Sequence, residues 1–307
     1  MASTIDIPTI KLRNGTEIPT LGYGTGTAWY KKSGDIELDR NLIDSAKNAI
    51  KLGYNHLDGA EVYGTEPELG VAIEESQSPR ESLFVTTKVY PNLADIPAAL
   101  DASLKKLRLD YVDFTNSLLF FFLKYRYLIH APFTITTEKE LQTAWAAMEQ
   151  VQATGKARVI GVSNFLQSHL ETILKTAKVV PEVNQIEFHP YLQHGNLVPW
   201  QESQGIRTVG YGGLAPITRA HGGPLDSLIS GLAFKYGVSE SEILLRWTLD
   251  RGCVAITTSS KESRLASYLR TLAFTLNPQE VAEISELGQQ NHHRSFWREK
   301  FSADDRS

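Results

Sequence analysis

Hydrophobic positions along the chain alternate between two periods, that of short buried strands and that of amphipathic helices. Segments rich in β-branched and aromatic residues are each followed by a segment with apolar residues three and four positions apart. The predicted strands cover residues 21–25, 55–60, 83–88, a fourth region ending at 128–130, 157–162, 183–188, 207–211 and 253–257. The predicted helices cover residues 42–52, 66–75, 96–107, 138–154, 167–175, 196–204, 224–235, 239–249 and 278–287.

A β-hairpin is predicted ahead of these units. Asn14 and Gly15 separate two strand-like runs, 9–13 and 17–20, and this dipeptide favours a tight hairpin turn. Regular alternation of strand and helix predicts parallel strands joined by crossover helices. Eight such units in roughly 250 residues favour a closed (β/α)8 TIM barrel with an N-terminal β-hairpin cap. We therefore expect one barrel domain over residues 1–307.

An open dinucleotide-binding sheet is the main alternative, and its glycine fingerprint does not fit. In the run from Gly22 to Gly26 the third glycine falls too early, and no helix start follows it. The sequence therefore favours the barrel.

Composition narrows the class of protein further. The 307 residues are 42% hydrophobic and 21% charged, which excludes a disordered chain, a collagen and a coiled coil. The net charge of −4 argues against a nucleic-acid partner. One cysteine, Cys253, excludes an intrachain disulfide. No secretory signal is evident, and residues 118–123 are too short an apolar run to span a membrane. We expect a cytoplasmic protein, monomeric or weakly dimeric, without membrane partners.

Candidate chemistry stands at the strand ends, where barrel active sites lie. Asp58, Lys88 and His130 end the second, third and fourth strands, and Tyr63 follows the second. A lysine cation lowers the pKa of a neighbouring tyrosine, and a carboxylate holds that lysine charged. A histidine can donate a hydrogen bond to a carbonyl oxygen. Together the four predict proton delivery to a carbonyl that is gaining a hydride.

Each of these residues also has a structural interpretation. Tyr63 could be a packing residue, Lys88 a solvated strand tip, His130 a buried core histidine and Asp58 a turn cap. Their joint placement at one rim favours the chemical interpretation, provided that the barrel forms. No nucleophile elbow or metal-ligand spacing competes with them.

The chain resembles the aldo-keto reductase superfamily over nearly its whole length. The residues that carry the resemblance are GYNHLDGAEVYG at 53–64, VTTK at 85–88, LIH at 128–130, GVSNF at 161–165 and VNQIEFHP at 183–190. Residues 257–265 are similar to the fungal branch that includes conjugated polyketone and ketopantoyl-lactone reductases.

This resemblance implies an NADPH-dependent reduction of a small-molecule aldehyde or ketone to its alcohol. It implies that Tyr63 is the general acid, that Lys88 and Asp58 tune it, and that His130 orients the carbonyl. The implied NADPH-binding residues are Ser163, Asn164 and Gln185 at the carboxamide, Tyr211 on the nicotinamide ring, and Ser259, Ser260, Lys261 and Arg264 at the 2′-phosphate. Lysine, arginine and hydroxyl groups suit a phosphate, although Lys261 and Arg264 could also be a solvated helix start.

Aromatic residues are candidates for the substrate pocket, with core packing as the competing interpretation. They are Trp29, Phe133 and Trp297, with Tyr30, Ala131 and Phe296 as further wall residues. Their character favours a flat or apolar carbonyl compound.

Several positions depart from the family pattern. The eighth strand lacks the usual lysine at 256–259, Gly212 and Gly213 follow Tyr211, and the tail after Asn291 is too short for a long substrate-gripping loop. The largest departure is an irregular insertion at about 115–127, which separates Asp113 from His130 by 17 positions. It could be an excursion at the N-terminal side of the barrel, an interface-forming extension, or translated non-coding sequence.

Two other functions remain open at this stage. A disrupted fourth strand would leave a barrel that binds NADPH without catalysis. A different barrel enzyme, such as a hydrolase or isomerase, would need a carboxylate pair or a metal cluster, and the sequence offers neither.

Overall fold

The computed structural model describes residues 6–32, 34–109 and 125–307. Its strands are β1 Thr9–Lys11, β2 Glu17–Pro19, β3 Leu21–Gly24, β4 His56–Asp58, β5 Phe84–Val89, β6 Tyr125–Ile129, β7 Val159–Ser163, β8 Val183–Glu187, β9 Arg207–Tyr211 and β10 Val254–Thr257. Its helices are α1 Arg40–Leu52, α2 Glu66–Ser76, α3 Ile96–Lys106, α4 Glu138–Ala153, α5 Gln167–Leu174, α6 Leu197–Ser203, α7 Ala215–Thr218, α8 Asp226–Tyr236, α9 Glu240–Asp250, α10 Glu262–Leu269 and α11 Pro278–Gln289.

Strands β3 to β10 close into a parallel barrel in chain order. Closure occurs where β10 pairs with β3, with Ala255 opposite Leu21, and with β9, with Val254 opposite Val209. The predicted (β/α)8 TIM barrel is therefore confirmed. Since all eight strands run parallel, their C-terminal ends meet at one rim.

Alternate residues of each strand face opposite sides of the barrel wall. On β5, Phe84 packs with the apolar interior, whereas Val85 and Val89 pack in the outer cluster that the helices cover. On β6, Leu128 faces inward and Ile129 outward. This period of two aims polar residues that share the register of Phe84 and Leu128 into the barrel.

The N-terminal hairpin closes the opposite end of the barrel. Strands β1 and β2 pair antiparallel, with Ile10 opposite Ile18. Ile18 and Leu12 are buried against the inward-facing valines Val159 and Val183. The predicted cap is confirmed, and it keeps water out of the lower interior.

Helix boundaries follow local capping chemistry. Helix α1 ends where Gly53 adopts φ 108°, a left-handed conformation that strains residues with a Cβ atom. Helix α4 begins with a capping box in which Thr137 and Glu140 satisfy each other's backbone N–H groups. Helices α7 and α10 were not among the predicted elements. No described helix is both long and apolar enough to cross a membrane.

The fourth barrel strand is continuous. Strand β6 pairs with β5 over five positions, Tyr125–Ile129, and with β7 over four of them. Residues 125–127 of the irregular insertion thus belong to the barrel, and residues 115–124 lie outside the described residues. His130 follows β6 directly, and its backbone N–H bonds to Val89 O at 3.0 Å. The hypothesis of a non-catalytic barrel assumed a disrupted fourth strand. Residues 125–129 form an intact strand that is paired on both sides.

Candidate active site

A cavity of about 710 Å³ opens at the C-terminal rim of the barrel. Asp58, Tyr63 and His130 line its wall, and Tyr211 lines it on the side of β9. The described residues contain no group of histidine, cysteine, aspartate and glutamate side chains that could hold a metal ion.

A buried ion pair stands beneath the cavity. Lys88 Nζ donates to Asp58 Oδ1 at 2.6 Å and to the Gly59 carbonyl at 2.9 Å. The same ammonium lies 5.1 Å from the centroid of the Tyr63 ring. The residues expected from the sequence to act as a tuning pair are thus in contact with each other and beside the tyrosine.

The second carboxylate oxygen of Asp58 has partners of its own. Gln185 Nε2 donates to Oδ2 at 2.9 Å, and Arg126 Nη2 lies 3.4 Å from it. Burial acts to raise the pKa of Asp58, but the charges of Lys88 and Arg126 and the hydrogen bonds outweigh it, so this pKa is lowered. Burial lowers the pKa of Lys88, and the contact with Asp58 opposes that effect. The carboxylate therefore stays ionised between two cations.

Tyr63 and His130 meet above this pair. Tyr63 lies in the short 3-10 turn Glu61–Tyr63, and its Oη is 3.4 Å from His130 Nε2. The two rings pack edge to face with centroids 5.3 Å apart. Burial, assisted by the Lys88 charge, lowers the pKa of His130 to about 3. The imidazole is therefore neutral at physiological pH and can donate one hydrogen bond.

The expected lowering of the Tyr63 pKa is corrected by the structure. Burial raises the pKa of Tyr63 well above 10, and the Asp58 charge adds to that increase. Lys88 does not reverse it, because its own charge is neutralised by Asp58 at 2.6 Å. In the state described, the phenol holds its proton firmly, which suits a group that must arrive protonated.

The three residues expected at a nicotinamide carboxamide form one hydrogen-bonded network. Ser163 Oγ donates to the Gln185 carbonyl at 2.7 Å. Asn164, at φ 59°, donates to the His130 carbonyl at 2.9 Å and accepts from Tyr211 Oη at 2.7 Å. Ser163 and Gln185 line the cavity, whereas Asn164 lies behind it. Asn164 is thus placed to hold His130 and Tyr211 rather than to face the cavity.

Two arginines are part of the cavity lining. They are Arg264 at the start of α10 and Arg219 after β9, and Thr258 lines the cavity with them. Ser259 is buried, and its Oγ accepts from the Lys261 backbone N–H at 3.1 Å. Of the four residues expected at a 2′-phosphate, Arg264 lines the cavity, whereas Ser259, Ser260 and Lys261 are not part of its lining.

Aromatic rings form the wall beside Tyr63. Tyr30, Tyr90 and Trp297 line this part of the cavity, and Phe296 lines it nearer to Tyr211. The expectation for Trp29 is corrected: its neighbours Thr27 and Tyr30 line the cavity, and Trp29 does not. Phe133 stands behind Trp297, with ring centroids 5.0 Å apart, and Ala131 is buried outside the lining. The cavity wall is aromatic, although two of the expected residues, Trp29 and Phe133, are not part of its lining.

A short C-terminal segment reaches the cavity despite its length. We call residues 294–301 the C-terminal strap. Glu187, at the end of β8, accepts the backbone N–H of Ser295 at 2.8 Å and that of Phe296 at 3.0 Å. Phe296 then packs on the Tyr211 ring at 5.3 Å, and Trp297 packs on His130 at 6.2 Å. The tail thus contributes Phe296 and Trp297, both wall candidates from the sequence, to the pocket lining.

Sequence reasoning missed four residues of this site: Glu187, Arg126, Tyr90 and Arg219, the last of which follows the unpredicted helix α7. Glu187 falls on the same face of β8 as Gln185, two positions on, and this period was a signal that it points to the rim. Arg126 likewise shares a face of β6 with Leu128 and His130. Tyr90 follows directly after β5, but no local pattern separates it from an ordinary loop tyrosine.

Comparison with known proteins agrees with this geometry. The model of the aldo/keto reductase family matches residues 20–289. This chain belongs to the aldo/keto reductase family. It is 42% identical over 285 residues to an NAD/NADP-dependent indole-3-acetaldehyde reductase of Schizosaccharomyces pombe, covering 92% of this chain and 96% of that one.

The chain is also similar to a second reductase and to a solved structure of the family. It is 38% identical to an NADPH-dependent alpha-keto amide reductase of Saccharomyces cerevisiae, covering 93% of each chain. A solved Bombyx mori aldo-keto reductase in complex with NADP superposes with a TM-score of 0.79 at 33% identity, covering 92% of this chain and 93% of that one.

Proposed function

We propose that this protein reduces an aldehyde or ketone to its alcohol with NADPH, and that Tyr63 is the general acid. The observation that carries the proposal is the contact of Tyr63 Oη with His130 Nε2 at 3.4 Å, beside the buried Lys88–Asp58 pair. A neutral histidine and a protonated tyrosine converge on one point of the cavity. A carbonyl oxygen at that point would accept two hydrogen bonds, one from each residue.

The cavity suits a dinucleotide of this kind. Its lining includes Tyr63 and Arg264, and also Gly212 and Gly213, which leave space because they carry no side chains. Ser163 and Gln185 would hold the carboxamide, Tyr211 would stack on the ring, and Arg219 and Arg264 would neutralise phosphate charge. When bound, NADPH supplies the hydride. The family relatives named for NAD/NADP and NADPH support this choice of cofactor.

The chain's own residues handle the proton and the charge. As negative charge develops on the substrate oxygen, His130 donates to it and Tyr63 releases its proton to it. The phenolate then stands near the Lys88 ammonium, which lies 5.1 Å from its ring centroid. Asp58 keeps that ammonium oriented through a 2.6 Å contact. The buried setting strengthens each of these interactions, because little water screens them.

The substrate is proposed to be an uncharged carbonyl compound with an aromatic or flat apolar group. Tyr30, Tyr90 and Trp297 surround the approach to Tyr63. The cations Arg219 and Arg264 also line the cavity, and we assign them to the cofactor rather than to the substrate. An aromatic aldehyde and a cyclic dicarbonyl of the polyketone or ketopantoyl-lactone type are the two classes to compare.

The test is NADPH oxidation with an aromatic aldehyde, a cyclic dicarbonyl and a small aliphatic aldehyde. We expect turnover, and we expect Tyr63→Phe to lower kcat by about 10² to 10⁴, the range of a lost general acid. NADPH binding, followed by quenching of tryptophan fluorescence, should stay near the wild-type value. Tyr236→Phe is the matched control, since Tyr236 on α8 is not part of the cavity lining.

Two results would contradict the proposal. Near wild-type kcat in Tyr63→Phe would exclude Tyr63 as the acid. NADPH binding without reduction of any tested carbonyl would favour the binding barrel over the reductase.

A further inference from the structure

Arg126 is a second buried cation at the catalytic carboxylate, and the proton-transfer scheme above does not use it. It lies on β6 opposite Thr86 of β5 and Val159 of β7, four positions before His130. The period of two turns its side chain into the barrel, where it is 1% exposed. A guanidinium inside a barrel core requires an explanation, because charged groups are rarely buried without full pairing.

The contacts of Arg126 connect it to the proton-delivery residues. Its Nη2 lies 3.4 Å from Asp58 Oδ2, and its Nε donates to Thr86 Oγ1 at 3.1 Å. Nη1 is buried and has no hydrogen-bond partner among the described residues. One of the three guanidinium nitrogens is thus left unsatisfied, which costs free energy.

Stability is therefore a poor reason for this arginine. Asp58 would keep Lys88 on Oδ1 and Gln185 on Oδ2 if Arg126 were replaced by an apolar side chain. Removing one partner of a buried ion pair is strongly destabilising when the other charge is left unpaired, but Asp58 would here retain Lys88 at 2.6 Å. An effect on the charge of its neighbours is the better explanation.

The charges that face Arg126 are few. Among the described residues, Asp58 on β4 and Lys88 on β5 are the charged groups beside it, and Glu66 on α2 acts on Lys88 from outside the barrel. His56 on β4 also faces it, but burial lowers the pKa of His56 to about 3, so it is neutral. With one carboxylate and two cations, the interior cluster has a net charge of +1 rather than zero.

We propose that Arg126 is a positioning residue for carbonyl reduction: as the second cation on Asp58 it gives the Asp58–Lys88 pair a net positive charge, and so favours the phenolate that Tyr63 forms. The inference rests on the proposed function. A positive charge disfavours the protonated form of a nearby lysine and favours the ionised form of a nearby acid, such as the phenolate of a tyrosine. Loss of that charge should therefore make Lys88 hold its proton more tightly and Tyr63 release its proton less readily.

The first experiment measures Lys88 without any substrate. The enzyme is labelled with lysine carrying ¹³C at Cε, and the Lys88 resonance, assigned through Lys88→Arg, is followed as pH rises. We take a separation of roughly 6 Å between the Lys88 and Arg126 charges and an effective dielectric constant of about 20. Arg126→Met should then raise the pH midpoint of the Lys88 titration by about one to two units. Arg126→Lys, which keeps the charge, should leave it near wild type. Arg246→Met, which removes a cation outside the barrel on α9, is the control.

The second experiment measures the reaction. In Arg126→Met the alkaline limb of the pH–kcat profile should move to higher pH, as the Lys88 titration does. The value of kcat should fall by about three- to tenfold, because Tyr63 becomes a weaker acid. KM for NADPH should stay near wild type. A purely structural role would change the melting temperature without moving the pH profile or being rescued by lysine. If Arg126→Met does not fold, Arg126→Gln provides the same loss of charge.

The outcomes separate the two proposals. An unchanged Lys88 titration and pH profile in both neutral variants would overturn the role of Arg126. A moved Lys88 titration in an enzyme that reduces no carbonyl would overturn the proposed function and the role of Arg126 in it, while leaving its charge coupling to Lys88 established.

Discussion

The anchor of the C-terminal strap is open to a sharp test, the substitution Glu187→Gln. Glu187 is 2% exposed and accepts hydrogen bonds from His189 Nε2 at 3.1 Å and from the backbone N–H groups of Ser295 and Phe296. Glutamine keeps the length of the side chain but turns an NH₂ group toward these donors. In either orientation of the amide, one of the three donors faces the NH₂ group instead of an oxygen, and the two backbone N–H groups lose a charged acceptor.

The size of the effect follows from these contacts. Leaving one buried donor unsatisfied costs about 1–3 kcal/mol, and hydrogen bonds to a charged acceptor are at the upper end of that range. Since 1.4 kcal/mol is about a factor of ten, the docked strap should lose roughly ten- to hundredfold in population relative to the undocked one. Phe296 and Trp297 then leave the wall, so KM for an aromatic aldehyde should rise about tenfold or more.

The assay compares an aromatic with a small aliphatic aldehyde, since only the larger substrate would depend strongly on Trp297. Limited trypsin digestion of the NADPH complex should show faster cleavage in the strap, after Arg294, Arg298 or Lys300. Glu286→Gln on the exposed side of α11 is the matched control. Equal KM ratios and equal protection from trypsin in Glu187→Gln and wild type would refute the role of Glu187 as anchor.

The same residue gives a pH test. Burial acts to raise the pKa of Glu187, but His189 and the strap N–H groups outweigh it, so its folded-state pKa is lowered. The folded state therefore binds its proton less tightly than the unfolded state, and the resulting stability is present above the unfolded pKa and is lost as pH falls. Between about pH 5 and 3, the free energy of unfolding should fall less steeply in Glu187→Gln than in wild type.

Two other substitutions test the walls of the cavity. A Cβ at Gly26 would lie 2.9 Å from Tyr63 Cζ. Gly26→Ala should therefore displace the phenol and lower kcat about tenfold or more, with little change in NADPH binding. The control is Gly231→Ala, whose Cβ would meet nothing within 4 Å and which should leave kcat unchanged. Trp297→Ala removes ring contacts to Tyr90 and His130 and should raise KM for aromatic aldehydes about tenfold, and an unchanged KM would show that the ring does not touch substrate.

Much of the fold could be predicted from local pattern. A strand of period two and a helix of period 3.6 are imposed by backbone geometry, so their order along the chain already indicated eight parallel strands. The ends of those strands then indicated where Asp58, Lys88 and His130 would gather. The pattern predicted the end of the fourth strand but not its beginning at Tyr125, which fell in the irregular insertion at 115–127, and Arg126 was missed with it.

Contacts between distant positions were decided by the tertiary structure. Glu187 binds Ser295 across 108 positions and Gln185 binds Asp58 across 127, and both contacts exist only because the barrel closes. The direction of the Tyr63 pKa was decided in the same way, since burial and the pairing of Lys88 with Asp58 are properties of the packed rim. The sequence by itself determined which chemical groups stand at the strand ends; the closed barrel determined which of them touch, how far water is excluded, and therefore what charge each one carries.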